Sequence, residues 1–310
     1  MMSEIPTPLR SKVTLKGLWQ LLKATYERWY NHDPFVLSAA LSYYAIFSLP
    51  ALIIVVISSS GFLFGKEAVS GELYRQINNL IGKEGALQIQ DMVAKASLSK
   101  DSWQATVISI ITILFSATAV FTQLQNSLNL IWGVKVTPQK AWLNYIISRI
   151  FSFGMVAMLG FLLLVSLVVD SVLSAFYHWI IGHLSFVSAL VIYLINNLVS
   201  LGMFTLFFGV IFKVLPDVKM RWSNVWIGSL FTALLFTLGK LCISYYLSQA
   251  NPGSTYGAAG SVIVILLWVS YSSLILFFGA VFTHEYSQRF GVGLKPNAFA
   301  EQKPVLVEKE

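Results

Sequence analysis

Phe35–Phe64 reads FVLSAALSYYAIFSLPALIIVVISSSGFLF, thirty residues without one charged side chain. A helix needs about 20 residues to cross a hydrocarbon core of about 30 Å, so this stretch is long enough. Backbone amides in lipid must be paired within their own segment, which makes the stretch a helix. Working outward, five more runs of the same character follow: Ala105–Trp132, Ile146–Val169, Phe186–Phe212, Val225–Leu247 and Ala258–Thr283. Apolar residues make up 56% of the chain and charged ones 11%, so no soluble domain of ordinary composition is left over. The expected fold class is all-α: a polytopic membrane helical bundle of six transmembrane helices.

The lysines and arginines are unevenly shared between the connections. Fifteen fall before the first run, near the second-to-third connection (Arg149, at the start of the third run, included), between the fourth and fifth, and after the sixth. Five lie between the first and second runs, where Glu67, Glu72, Glu84, Asp91 and Asp101 offset them. The remaining one, Lys240, is inside the fifth run. The positive-inside rule then places both termini in the cytoplasm. The net charge of +7 follows from this topology, and no basic face belongs to a soluble domain that could hold nucleic acid.

Three regions are expected. Residues 1–34 form a cytoplasmic amphipathic segment, 35–286 the membrane domain, and 287–310 a disordered cytoplasmic tail of low, unpatterned apolar content. No apolar h-region precedes residue 30, which argues against a cleaved signal peptide. In the first region Leu15, Leu18, Trp19, Leu22, Tyr26, Trp29 and Tyr30 recur at helical spacing, with Lys16, Gln20, Lys23 and Glu27 on another face. Such a helix lies in the headgroup layer with its lysines near anionic lipid, or packs beneath the bundle. Asn31-His32-Asp33-Pro34 ends it. Outside the membrane, Lys66–Trp103 carries two apolar stripes, Leu73/Ile77/Leu80/Ile81 and Ile89/Met92/Val93/Ala96. Gly82-Lys83-Glu84-Gly85 reads as a turn between them, giving an external helical hairpin.

Polar groups inside the runs are the candidate site residues, because each is costly in hydrocarbon. Lys240 lies about 10 Å from the outer end of the fifth run, at 1.5 Å per residue. It shares a face with Thr237, Ser244 and Ser248, either lining a cavity that attracts an anionic group or snorkelling to the interface. Asn196 and Asn197 sit mid-run, as interhelical glue or as part of a pathway. Gln123, Gln125, Asn126, Ser127 and Asn129 cluster at the end of the second run, at the interface or at a pathway mouth. Tyr43 and Tyr44 are deep enough that their hydroxyls need partners. Pro50 bends the first helix, and Gly257, Gly260 and Ser261 give the last one a small packing face.

Metals and cofactors find no support. Cys242 is the single cysteine, and His178 and His183 lack further ligands around them. No cofactor is therefore expected. The expected partners are membrane lipids and an envelope protein docking on 66–103, with no nucleic acid.

Two segments carry a resemblance to a known family. Ser38-Ala39-Ala40-Leu41-Ser42-Tyr43-Tyr44-Ala45-Ile46-Phe47-Ser48-Leu49-Pro50, after Asp33, resembles the first-span signature of the YihY/BrkB family. Tyr256-Gly257-Ala258-Ala259-Gly260-Ser261, with Leu267-Trp268-Val269 and Phe278-Gly279-Ala280, resembles its last-span signature. Leu215-Pro216-Asp217, Trp222, Gly228 and Phe236 through Lys240 to Tyr245 also follow the family pattern. The likeness runs over about Trp29–Tyr286. It implies a bacterial inner-membrane protein with six helices. Members have carried the label ribonuclease BN, others have been linked to serum resistance, and transport of a lipid or other envelope component has been put forward. Where the family commonly has an acidic residue this chain has Val281, with Glu285 one turn later.

Ribonuclease chemistry does not fit. The four histidines are scattered, no carboxylate cluster stands ready to hold metal ions, and the loops are short. No G-x-x-x-x-G-K-[ST] loop is present for an ATP-driven pump. No enzyme is therefore expected. The reading is a transporter or flippase of an anionic lipid or other envelope component. The alternative is a scaffold that presents 66–103 to a partner.

Overall fold

A computed structural model describes residues 14–64, 66–96, 103–136, 154, 187–250, 260–291, 295–296 and 300–302. Seven long helices dominate it: α1 (Leu15–Tyr30), α2 (Pro34–Phe64), α3 (Lys66–Ala96), α4 (Trp103–Ile131), α5 (Val187–Val214), α6 (Trp222–Ala250) and α7 (Gly260–Phe290). Four of them contain stretches long and apolar enough to cross a membrane: Pro34–Ile54, Asn197–Val214, Trp222–Tyr246 and Val262–Phe290. These match the first, fourth, fifth and sixth runs. α4 coincides with the second run. The third, Ile146–Val169, lies outside the described residues, Gly154 excepted.

Local chemistry explains where the helices begin and end. Thr14 caps α1, its hydroxyl accepting from the Gly17 N–H at 3.2 Å. Asp33 takes a left-handed conformation (φ 47°) and Pro34 opens α2, where its missing N–H costs nothing. α4 stops at Gly133, whose φ of 68° turns the chain out of the helix.

α3 corrects the expected hairpin. It is one unbroken helix of 31 residues, and Gly82-Lys83-Glu84-Gly85 lies inside it. Glycine in a helix interior costs about 1 kcal/mol, too little to break a segment otherwise rich in Ala, Leu, Glu, Gln and Lys. Leu73 and Ile89 join the core, and Ile77 and Val93 pack against it, so the two apolar stripes serve one helix.

The core sits where α2, α4, α5, α6 and α7 meet. Within it Phe236 is ringed by Phe204 (5.0 Å), Phe208 (5.6 Å) and Trp268 (6.1 Å), mostly edge to face. The tightest contact joins α6 to α7, which run antiparallel. Thr283 of α7 faces Gly228 of α6, and Thr232 of α6 faces Gly279 of α7. Each threonine hydroxyl donates to the carbonyl four residues back on its own helix, Thr232 to Gly228 and Thr283 to Gly279, both at 2.7 Å. A side chain at either glycine would hold the helices apart, so this is close packing by small residues.

The tail corrects a second expectation. β1 (Val134–Val136) pairs antiparallel with β4 (Ala300–Gln302), and β2 (Val218–Lys219) pairs with β3 (Lys295–Pro296). Five residues placed in a disordered segment therefore strap two interhelical connections together. Backbone hydrogen bonds carry these short strands, and they need no side-chain pattern.

Candidate functional site

A groove of about 1110 Å³ runs between α2 and α7. Its α2 wall is Ala39, Ser42, Tyr43, Ile46, Phe47 and Pro50, positions that share one face at i, i+3, i+4 spacing. Its α7 wall is Val262, Ile263, Leu266, Leu267 and Ser270. Small side chains at Ala39 and Ser42 leave the space. Pro50 has no N–H for the Ile46 carbonyl, so one backbone acceptor in the wall lacks its helical donor. The volume exceeds that of ordinary small-molecule sites, which span about 300–1,000 Å³. Chemically it suits a long apolar chain. Lipid tails gain little by exchanging bilayer for such a wall, so selectivity must come from polar groups near it.

The second site is polar and lies at the end of the bundle that gathers the α1–α2 junction, the end of α4, the α5–α6 connection and the end of α7. Arg28 donates to Glu285 Oε1 at 3.2 Å and to the Ile131 carbonyl at 3.3 Å, thereby joining α1, α7 and the C-terminus of α4. A cation at exposed carbonyls of a helix C-terminus is favoured by the helix dipole. Arg289 approaches Glu285 Oε2 at 3.8 Å. Trp132, fully buried, donates from Nε1 to the Ala280 carbonyl at 2.9 Å. Beside it, the Asn129 amide donates to Asp217 Oδ2 at 2.8 Å while its carbonyl oxygen accepts from the Asp217 N–H at 2.9 Å. Gln125 adds a second bond to the same carboxylate at 3.3 Å. Asn224 and Ser287 bridge α6 to α7 at 2.9 Å.

The candidate residues distribute as follows. At the end of α4 the buried pair is Gln125 and Asn129, whereas Asn126 is exposed and Gln123 half-buried. A step of 100° per residue separates the two sets, and the Asp217 of Leu215-Pro216-Asp217 was the signal for choosing between them. Tyr43 lines the groove and meets Phe47 at a tilt (ring centroids 4.9 Å apart) and Tyr44 edge to face (5.8 Å). Both tyrosines are exposed on the bundle surface, and among the described residues their hydroxyls make no hydrogen bond. Pro50 is in the groove wall. Thr237 gives its hydroxyl to the Ala233 carbonyl at 2.8 Å, and Ser244 is exposed. Lys240 is half-buried, with no hydrogen-bond or ion partner among the described residues. It is not in the groove. Its neighbour Gly239 packs on Tyr271 and Ile275, which begin one residue past Ser270, so Lys240 sits at the depth of that end of the groove. Asn197 is exposed to the bundle's surroundings and engages a neighbour. The Asn196 and Ser261 side chains and Gly257 lie outside the described set, and Gly260 is buried at the start of α7. Val281 is fully buried and apolar, and Glu285 carries the ion pairs. Among the described residues, no group of three or more His, Cys, Asp or Glu side chains is placed to hold a metal ion.

Comparison with known proteins finds relatives named as membrane proteins. The chain is 28% identical over 263 residues to a UPF0761 membrane protein of Tolumonas auensis, covering 82% of this chain and 81% of that one. It is 24% identical over 267 residues to a Bacillus subtilis protein, YfkH, named ribonuclease-like, covering 83% and 92%. A longer relative, a UPF0761 membrane protein of Methylibium petroleiphilum, is 28% identical over 176 residues, which are 56% of this chain and 40% of that one. No solved structure matches the chain. The family model described as Virulence factor BrkB matches residues 25–303, from within α1 through β4. This all-helical membrane protein belongs to the Virulence factor BrkB family.

Proposed function

We propose that the protein moves an anionic lipid, or another envelope component with a long apolar chain, across a bacterial inner membrane. The groove between α2 and α7 carries this reading. It lies between two helices apolar enough to span the bilayer, and its apolar walls match an acyl chain. In this reading the chain occupies the groove while Lys240, at the depth of the groove's Ser270 end, attracts the headgroup charge. The Arg28 end faces the cytoplasm, following the excess of Lys and Arg in the connections gathered there. The chemistry is movement without bond cleavage.

The test is native mass spectrometry of bound lipid, joined to translocation of a fluorescent phosphatidylglycerol in proteoliposomes. Ala39→Phe fills the groove and should abolish both retention and translocation. Lys240→Met should lose preference for phosphatidylglycerol over phosphatidylcholine with stability unchanged. Translocation by the wild type that persists in Ala39→Phe would sink the groove reading. A scaffold role is the second reading, favoured because Gln125, Asn129, Asp217, Arg28 and Glu285 are all engaged in holding elements together. It predicts no translocation by a folded wild-type protein.

A further inference from the structure

α1 has two apolar sides, and only one of them is used by the bundle. Leu21 and Thr25 are fully buried, and Arg28 and Trp29 continue that side onto α7. A second stripe, Leu15, Trp19, Leu22, Tyr26 and Tyr30, recurs at i, i+3, i+4 spacing and faces outward; Trp19 is 72% exposed, Tyr26 57% and Tyr30 59%. Lys16 and Lys23 flank this stripe on the side away from α7, and Lys23 is itself exposed. Around the helix the order is therefore bundle, aromatic stripe, lysines.

The direction of α1 locates that stripe. Gly17 lies by Phe290, Arg28 by Glu285 and Trp29 by Phe278, so α1 runs antiparallel beside the last turns of α7. It does not lie flat. α7 has 31 residues and is about 46 Å long, which matches the full bilayer, about 40–45 Å including headgroups. Its final dozen residues are about 18 Å long, more than the headgroup layer of about 5–8 Å on each side, so α1 beside them crosses that layer and leads on towards water. Only Asn31-His32-Asp33 separates Tyr30 from membrane-spanning α2, whose first turn exposes Phe35 and Val36.

We infer that the outward stripe of α1 is a lipid-facing surface for the anionic headgroup layer, graded in depth. Tyr30 borders hydrocarbon and each step of three or four residues towards Leu15 lies about 5 Å farther out, so Lys23 reaches back to lipid phosphate while Lys16, farther out, is drawn by the anionic surface. Tyrosine and tryptophan are the side chains that sit well at this boundary. This surface is distinct from the groove and is independent of whether anything is transported.

Cys242 is the single cysteine, so nitroxide scanning in a Cys242→Ser background is direct. Labels at Leu15→Cys, Trp19→Cys, Leu22→Cys, Tyr26→Cys, Tyr30→Cys and Lys23→Cys would be read in vesicles of phosphatidylcholine, with and without phosphatidylglycerol. Accessibility to oxygen reports lipid and accessibility to a water-soluble nickel chelate reports solvent. The expected result is loss of nickel broadening at Tyr26→Cys and Tyr30→Cys, a gradual return towards Leu15→Cys, and full nickel access at Lys23→Cys. Phosphatidylglycerol should deepen the profile, and Lys16→Gln with Lys23→Gln should remove that deepening. Nickel access at every stripe position would overturn the inference, leaving a water-exposed helix. So would exclusion of both reagents along the stripe, the sign of a second copy packed there. Neither result depends on the lipid-translocation assay.

Discussion

Gly228→Ala sets two ordinary rules against each other. Alanine is the better helix former by about 1 kcal/mol, so propensity alone predicts a more stable α6. The added Cβ, however, would stand 2.7 Å from Thr283 Cβ and 2.8 Å from its Cγ2. Carbon atoms prefer about 3.5–4.0 Å, so α6 and α7 must separate locally by about 1 Å. Rotating Thr283 does not help, because its Cβ stays in place whatever χ1 it adopts, and its hydroxyl is held by the Gly279 carbonyl. Overpacking of this kind costs about 1–3 kcal/mol, and an unmovable contact belongs in the upper half of that range. The net expectation is a loss of about 1–2 kcal/mol after the propensity gain is subtracted. The assay is unfolding in detergent micelles titrated with dodecyl sulfate, followed by helicity. Gly202→Ala is the matched control, since a Cβ there meets nothing within 4 Å. Its stability should be unchanged or higher. If Gly228→Ala proved as stable as Gly202→Ala, close contact of α6 and α7 at the Gly228–Thr283 crossing would be refuted.

Two further predictions concern the polar end. Asn129→Asp puts a carboxylate against the Asp217 carboxylate and removes a donor, costing about 2–3 kcal/mol and opening the 215–221 connection to protease. Adding Asp217→Asn restores one donor facing one acceptor, so the double variant should recover most of that loss. Glu285→Gln weakens the tie of α1 to α7; Arg28 is about a third exposed, so the expected cost is about 1 kcal/mol. Combined with Arg28→Ala it should be clearly less than additive in a thermal-unfolding cycle, and additivity would mean that the two side chains do not interact.

The apolar runs foretell the long helices because twenty uncharged residues have few other ways to satisfy their backbone. They do not specify rotation about each helix axis. Gln123, Gln125, Asn126 and Asn129 all read as polar residues near an interface, and only the position of Asp217 shows which pair is buried. Lys66–Ala96 misleads for a different reason. Two glycines three residues apart resemble a turn, yet tertiary contacts of Leu73 and Ile89 with the core outweigh their small helix cost. In α1 the periodicity is right and its meaning is doubled, since one broad apolar arc serves both the bundle and the outside. The groove was invisible because it is a space between Ala39, Ser42 and residues more than two hundred positions later. Strands of two or three residues, such as β3, carry no periodic signature at all.

The tail strands also impose an order on biosynthesis. β1 and β2 flank helices that are synthesised and inserted well before residues 295–302 exist. Until those residues emerge from the ribosome, the edges at Val134–Val136 and Val218–Lys219 have no partner. The end that carries Arg28 and Glu285 can therefore be strapped only when synthesis is nearly complete, as a last stitch drawn across the two connections.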